Sequence, residues 1–258
     1  MEKYDLEIKI KDNPIYIREI DNPSEDIKIL AVRKNGTVIR YIKEPSEAVQ
    51  IEAIKSNPLS IEYIENPAEE ASIIAVKSLW NALKLIKYPT EKILRAAIQT
   101  KGWAIQFVNN PKEELQILAV ENDYDAIKYI KKPTENVVLK AIENYWGAIR
   151  FVDNPSMESK KKAISLNEEA INYINYTYEE LVELIEVNIN VVKYVYNDIN
   201  IDLVVDILTK KVRENSIDEK YLKDFLNLEV LEMDKINFIN NFGSKTARKI
   251  LVDYKLSI

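Results

Sequence analysis

Apolar and polar positions along this chain of 258 residues recur with a period of 22 residues. Counting from a proline at position zero, position eight is alanine and position nine is valine or isoleucine in seven successive copies. Position sixteen is isoleucine or leucine, position eighteen is usually aromatic, and position nineteen is isoleucine or valine. A fixed period of this length indicates stacked structural repeats. The register is set by Pro23, Pro45, Pro67, Pro89, Pro111, Pro133 and Pro155.

Each copy of the repeat predicts two short helices. Asparagine often precedes the proline and glutamate follows two positions after it, as in Asn22-Pro23-Ser24-Glu25. This pattern is typical of a capping box with proline at the first helical position. The first helix should span about ten residues and end near Asn35 in the first copy. A second helix of about eight residues should bury positions 15, 16, 18 and 19 on one face. The alanine at position eight should mark a close helix crossing.

Helices this short are marginally stable alone, so the repeats must stack. We therefore predict an all-α fold, a right-handed α-solenoid of 22-residue two-helix repeats with a helical C-terminal cap. The predicted segments are an N-terminal cap or degenerate repeat at residues 1–22, seven repeats at 23–176, a degenerate repeat at 177–198 and the helical cap at 199–258. The cap should contain helices over residues 202–213, 218–228, 233–242 and 244–254.

The first residues leave two alternatives open. Residues 14–22 match residues 58–66 almost position for position, so the second helix of an earlier repeat is predicted there. Residues 1–13 lack the alanine, because Lys9 stands in its place. The alternation of Leu6, Ile8 and Ile10 would also fit a capping strand.

Two segments, residues 97–108 and 141–152, resemble a family of short tandem helical repeats called domain of unknown function 4116. Its repeats look like Ala-Val-x-x-x-Gly-x-Ala-Leu-x-Tyr-Ala, and the resemblance covers residues 23–176. The family occurs in large viruses, phages and protists, which implies a phage or mobile-element protein that inhibits a host factor. A more distant similarity, to leucine-rich variant and HEAT-like repeats, implies protein binding.

Composition excludes several kinds of chemistry. The chain has no cysteine and no histidine, which excludes disulfides, thiolate metal sites and catalysis by Ser-His-Asp or Cys-His groups. We expect no catalytic residue, no cofactor and no metal. A net charge of −6 argues against general nucleic-acid binding. Without a signal peptide or a long apolar run, we expect a cytoplasmic protein that does not enter membranes.

The first-helix ladder, formed by positions seven and ten, is the predicted surface for a protein partner. Position seven is apolar in several copies, and position ten changes from basic to acidic along the chain. Tryptophans in the turn between the helices could add a binding hot spot. The predicted partner-binding residues are Leu30, Arg33, Lys55, Ile74, Lys77, Leu118, Trp80, Trp103 and Trp146. The alternative interpretation is that these apolar side chains pack within and between repeats.

Our leading functional hypothesis is a non-enzymatic scaffold that binds a protein, and its oligomeric state stays open. A nucleic-acid or nucleotide-binding protein is the alternative, with an anion-binding ladder at position seventeen formed by Arg40, Lys84, Lys128 and Arg150. We interpret the aromatic residues at position eighteen as core packing, with tyrosine hydroxyl groups that could reach the surface. Residues 243–246, Gly-Ser-Lys-Thr, are predicted to cap a helix at Ser244, because a phosphate-binding loop would need a further glycine and a preceding strand.

Overall fold

The computed structural model describes residues 3–257, and within them the chain is helical with no β-strand. Met1 and Glu2, in the predicted N-terminal segment, and Ile258, in the predicted C-terminal cap, lie outside the described residues. The chain forms two compact units that divide between Lys132 and Pro133. Within each unit, consecutive helix pairs pack against one another, as in a helical-repeat solenoid. The all-α repeat fold is therefore confirmed, and its handedness stays a prediction.

In the first unit, each ten-residue α-helix is followed by a six-residue 3-10 helix. The α-helices are Lys3–Asp12 (α1), Glu25–Lys34 (α2), Glu47–Ser56 (α3), Glu69–Ser78 (α4), Glu91–Thr100 (α5) and Glu113–Asn122 (α6). The 3-10 helices are Pro14–Glu19 (η1), Gly36–Tyr41 (η2), Pro58–Tyr63 (η3), Trp80–Leu85 (η4), Gly102–Phe107 (η5) and Tyr124–Tyr129 (η6). The strand alternative for residues 1–13 is wrong, because α1 packs on α2 and buries Ile10 completely.

The second unit also contains helix pairs and ends in four helices of 8 to 13 residues, of which only α11 and α14 are longer than the α-helices of the repeats. Its α-helices are Glu135–Asn144 (α7), Met157–Leu166 (α8), Tyr178–Val187 (α9), Val192–Val195 (α10), Ile201–Arg213 (α11), Glu219–Asn227 (α12), Lys235–Phe242 (α13) and Lys245–Ser257 (α14). Its 3-10 helices are Trp146–Phe151 (η7), Glu168–Tyr173 (η8) and Ile189–Val191 (η9). The predicted C-terminal helices are confirmed to within a few residues. Nowhere in residues 3–257 is a helix long and apolar enough to pass through a lipid bilayer.

The last four helices cover the end of the repeat array in the second unit. Helix α11 packs on α9, and α12 packs on η9. The buried hydroxyl of Tyr221 donates a hydrogen bond to the carbonyl of Ile185 at 3.1 Å. The predicted cap of α14 is confirmed, since the Ala247 amide donates to Oγ of Ser244 at 3.1 Å. These contacts hide apolar surface that the last repeat would otherwise expose to water.

The α-helices begin later than the capping-box pattern predicts. The N-cap of α2 is Ser24, the residue after the proline, and Glu25 is the first helical residue. Three of the four asparagines that precede a register-setting proline instead adopt left-handed backbone angles, with φ of 52° at Asn22, 48° at Asn110 and 50° at Asn154, and Glu44 and Lys132 do so at the same position. The prediction that Asn22 caps α2 is therefore wrong. Asparagine is favoured here because it tolerates the left-handed region, where the chain leaves one helix and turns into the next.

The glutamate at position two connects neighbouring repeats. In several repeats its carboxylate accepts a hydrogen bond from the N-cap hydroxyl of the following α-helix. Thr90 Oγ1 donates to Glu69 at 2.8 Å, and Ser156 Oγ donates to Glu135 at 2.5 Å. The N-caps that follow Glu47 and Glu91 are Ala68 and Lys112, which have no hydroxyl group, so this bond explains only part of the series.

The alanine at position eight marks the closest packing in each repeat. All seven of these alanines are completely buried. A methyl group added to Gly36 in η2 would lie 2.2 Å from the carbonyl oxygen of Ala53 in α3, and one added to Gly102 in η5 would lie 2.3 Å from that of Ala119. Each of these two 3-10 helices therefore touches the backbone of the α-helix in the next repeat. The close crossing was predicted between the two helices of one repeat, and the structure shows it between neighbouring repeats.

Position five provides a second connection between repeats. The buried amide of Gln50 donates to the carbonyl of Pro45 at 3.0 Å and accepts from the amide of Ala68, the N-cap of α4, at 2.8 Å. Lys160 occupies the same position in the second unit and donates to both carboxylate oxygens of Glu180 at 2.8 and 2.9 Å. Gln50 and Lys160 thus each bond to the neighbouring repeat, whereas Ser72 Oγ and Gln116 Oε1, at the same position, are buried without a hydrogen-bond partner.

We expect Gln50→Met to lower the free energy of unfolding by about 1–3 kcal/mol. The substitution leaves the part-buried amide of Ala68 and carbonyl of Pro45 without their side-chain partner. Chemical denaturation followed by circular dichroism measures this. Gln99→Met, at an exposed position of α5, is the matched control and should change stability by less than about 0.5 kcal/mol. Equal stability of the two variants would show that the Gln50 connection contributes nothing.

Candidate interaction surface

The aromatic series at position eighteen lies at the last residue of most 3-10 helices and reaches solvent. Tyr41, Tyr63 and Tyr173 are 42%, 40% and 48% exposed, and Phe107 and Tyr129 are half-buried. The prediction that this series packs in the core is therefore wrong. A 3-10 helix has three residues per turn, so positions 16 and 19 stack on the inner face. The side chain at position 18 stacks on the small side chain at position 15, on a different side of the 3-10 helix. Because the ring at position 18 is larger than the side chain at position 15, it extends to the surface.

Arg40 joins the aromatic residues of two neighbouring repeats. Its guanidinium carbon lies 4.3 Å from the ring centre of Tyr63 and 5.8 Å from that of Tyr41. Its Nε donates to the carbonyl of Thr37 at 3.0 Å, which fixes the direction of the side chain. Cations placed over aromatic rings at these distances are attracted to them. A charged, hydrogen-bonding group is thus held in place between two exposed tyrosines.

The other residues of the predicted anion-binding ladder have different surroundings. Lys84 is exposed. Lys128 forms an ion pair with Asp125 at 2.9 Å. In the second unit, the guanidinium of Arg150 lies 5.0 Å from the ring centre of Phe151. The ladder therefore does not form a uniform row of free cations, since a carboxylate neutralises part of it.

The tryptophans lie in the 3-10 helices and contact position eighteen of the following repeat. Trp80 stacks on Phe107 with 5.9 Å between ring centres, and Trp103 meets Tyr129 edge-on at 6.0 Å. In the second unit, Trp146 lies 6.1 Å from Tyr173. All three indoles are half-buried. The tryptophans were predicted in the turn between the helices, and they lie instead in the first residues of the 3-10 helices. Their indoles extend the aromatic surface formed by position eighteen.

We call this surface of the first unit the aromatic face. It combines the rings at position eighteen, the cations at position seventeen and the tryptophans that touch them. Its members are Arg40, Tyr41, Tyr63, Trp80, Lys84, Trp103, Phe107, Lys128 and Tyr129.

A compact polar cluster surrounds Trp103 on the aromatic face. The indole N–H donates to Asp125 at 2.6 Å, and the ammonium groups of Lys128 and Lys101 lie 4.3 and 4.9 Å from the indole ring. The carboxylate of Asp123 accepts from the Gly102 amide at 2.6 Å and pairs with Lys101. Because every polar group of this cluster has a partner, Trp103 is firmly oriented.

The pKa of Asp125 reports this arrangement. Burial raises the pKa of the carboxyl group, but hydrogen bonds from Trp103 and Lys128 lower it more, and the net shift is downward. The same pair raises the pKa of Lys128, mainly through its hydrogen bond to Asp125. The cluster is therefore most stable with both groups charged.

The first-helix ladder, in contrast, is partly neutralised. Arg33 Nε and Lys55 Nζ donate to the two oxygens of Glu52 at 2.6 and 2.9 Å. These hydrogen bonds, first from Arg33 and then from Lys55, lower the pKa of the Glu52 carboxyl group. Lys77 is exposed. The apolar members Leu30, Ile74 and Leu118 are half-buried. The ladder thus exposes fewer large apolar groups and fewer unpaired charges than its sequence suggests.

No known protein family matches this chain, and no curated protein or solved structure is significantly similar to it. The resemblance to short tandem repeat families stays an expectation. Among residues 3–257, no three acidic or metal-ligating side chains converge in a way that could hold a metal ion. The function must therefore be argued from the surfaces described above.

We expect Asp125→Asn to lower the thermal midpoint of unfolding at pH 7. The pKa of Asp125 is lowered by folding, so its stabilisation is present above the unfolded value of about 3.8 and disappears as the pH falls through the folded value. The difference between the variant and the wild-type chain should therefore shrink below about pH 4. Calorimetry at a series of pH values measures it, and a difference independent of pH would contradict the ion-pair interpretation.

Proposed function

We propose that this chain is a non-catalytic scaffold that binds a protein partner on the aromatic face of its first unit. The observation that carries the proposal is the exposure of Tyr41 and Tyr63 on either side of Arg40. Tyrosine, tryptophan and arginine are the side chains that dominate binding energy at protein interfaces. Aromatic rings that remain exposed on a repeat array can contact another molecule.

Rigidity supports the same proposal. The cation–ring contacts and the hydrogen bond from Arg40 to Thr37 hold the side chains in fixed directions before a partner arrives. Ordering side chains on binding costs about 0.5–1.5 kcal/mol for each flexible one, so a surface already ordered binds more tightly. The first-helix ladder remains a second place for a partner, and the experiment below separates the two surfaces.

Nucleic-acid binding is the second candidate function, because cations alternate with aromatic rings at Arg40, Tyr63, Trp103 and Lys128. Two observations weigh against it. Asp125 neutralises Lys128, and Asp123 neutralises Lys101. If the ligand were a nucleic acid, its affinity would fall steeply as the salt concentration rises.

The test is affinity capture of the partner from the native host lysate, with and without nuclease, followed by quantitative mass spectrometry. We expect one dominant protein to survive nuclease, and Arg40→Ala with Tyr63→Ala to reduce its recovery by about tenfold or more while the fold is kept. The control is the triple charge reversal Arg33→Glu, Lys55→Glu and Lys77→Glu, which should bind normally.

Loss of the partner in the control variant alone would instead assign binding to the first-helix ladder. Loss of every partner on nuclease treatment would contradict protein binding and favour nucleic acid.

A further inference from the structure

We propose that two neighbouring grooves in the first unit bind an extended acidic segment of the partner, with apolar side chains about three residues apart entering the grooves. This inference rests on the proposed function, since it names the kind of partner segment and the place where it docks. The grooves lie beside Phe107 and Tyr129, so they continue the aromatic face. Arg40 and Tyr63 do not line them.

The grooves form where one 3-10 helix, the following loop and the next repeat meet. The first groove, of about 460 Å³, has aliphatic walls from Leu83, Ile86 and Leu94 and ends at Phe107. Its volume is ample for one large apolar side chain. The stacked ring of Trp80 supports Phe107 from behind.

The second groove repeats this arrangement one repeat later. It has a volume of about 560 Å³, and its apolar walls include Ile105, Tyr129 and Ile130. Val108 and Asn109 line both grooves, so the two are adjacent. The exposed amide of Asn109, between them, can donate to and accept from the backbone of a bound extended segment.

The charge around the grooves selects the partner segment. Lys84 and Lys87 line the first groove and Lys131 and Lys132 line the second, and no acidic residue lines either one. All four lysines are exposed. Within the described chain none of them has a carboxylate in ion-pair distance, although many other lysines do, and Lys87 only approaches the ring of Tyr88 at 5.2 Å. This surplus of positive charge is complementary to an acidic ligand.

The repeat geometry sets the spacing of the bound side chains. Packed helices lie about 8–10 Å apart, and an extended chain in the polyproline II conformation rises about 3.1 Å per residue with three residues per turn. Side chains three residues apart therefore lie on one face of such a segment, at about the spacing of equivalent points in the two grooves. The side chains between them would face the lysines, which favours aspartate and glutamate there.

The shape of the grooves favours a peptide over a nucleic acid. The walls of the first groove are mainly aliphatic, those of the second combine aliphatic side chains with the amides of Gln106, Asn109, Asn110 and Gln116, and the two aromatic walls are already engaged by Trp80 and Trp103. Bases stack best on free aromatic faces. Aliphatic walls with a charged rim instead match apolar side chains within an acidic segment.

The experiment measures fluorescence anisotropy of a labelled synthetic peptide made of four Leu-Asp-Glu repeats, titrated with the full chain. A peptide of the same composition with its leucines placed together is the sequence control, and a twelve-residue oligothymidylate is the nucleic-acid control. The test variant is Lys87→Glu with Lys131→Glu. The matched variant is Lys11→Glu with Lys34→Glu, which makes the same charge change on exposed positions of α1 and α2.

We expect the repeating peptide to bind more tightly than both controls. The groove variant should weaken its binding at least about tenfold, because two attractive contacts become repulsive, and the matched variant should have little effect. Equal binding of the clustered peptide, equal loss in both variants, or no binding by the wild-type chain would overturn the groove proposal. Tighter binding of the oligothymidylate, lost in the groove variant, would overturn it in favour of nucleic acid.

The two proposals fail in different ways. A partner captured through Arg40 and Tyr63 whose recovery is unchanged by the groove variant would leave the scaffold function standing and remove the grooves from it. Because those two residues lie outside the grooves, the two sets of variants report independently.

Discussion

Close contact between a 3-10 helix and the backbone of the next α-helix, as at Gly36 against Ala53 and at Gly102 against Ala119, is the constraint on which the first unit depends. The buried alanines at position eight and the glycines at Gly36 and Gly102 leave no room for a larger group at these crossings. With the spacing fixed there, positions 16 and 19 must face inward, and positions 17 and 18 must face outward. The aromatic face follows from that geometry, and so do the grooves between repeats.

Much of the fold can be predicted from the period of the sequence. The two-helix repeat, the burial of the alanine at position eight and the approximate bounds of the C-terminal helices all have local signals that the structure confirms. No local signal shows that the second helix is a 3-10 helix, since apolar residues at positions 15, 16, 18 and 19 fit the face of an α-helix equally well. Only the tight packing requires the 3-10 form, and that change moves Tyr41 and Tyr63 from the expected core to the surface.

The candidate surface is harder to predict because its pairs join different repeats. The period still contained a useful signal, since equal positions in adjacent repeats become neighbours. Lys101 forms an ion pair with Asp123, and Trp103 donates a hydrogen bond to Asp125. Each aspartate lies 22 residues, one period, after its partner. The bond from Arg33 to Glu52 crosses 19 residues and depends on the stagger between two helices, which the sequence does not reveal. The preference for tyrosine at position eighteen was a further signal, because its hydroxyl group favours contact with water.

The account is tested most directly by whether the aromatic series stands on the surface of the folded chain. Nitration of tyrosines by tetranitromethane under native conditions, mapped by mass spectrometry, measures this without any partner. Tyr41, Tyr63 and Tyr173 should react readily, whereas Tyr221, which is 5% exposed and hydrogen-bonded within the second unit, should react only after unfolding. Protection of Tyr41 and Tyr63 equal to that of Tyr221 would contradict the account, because it would return these rings to the core.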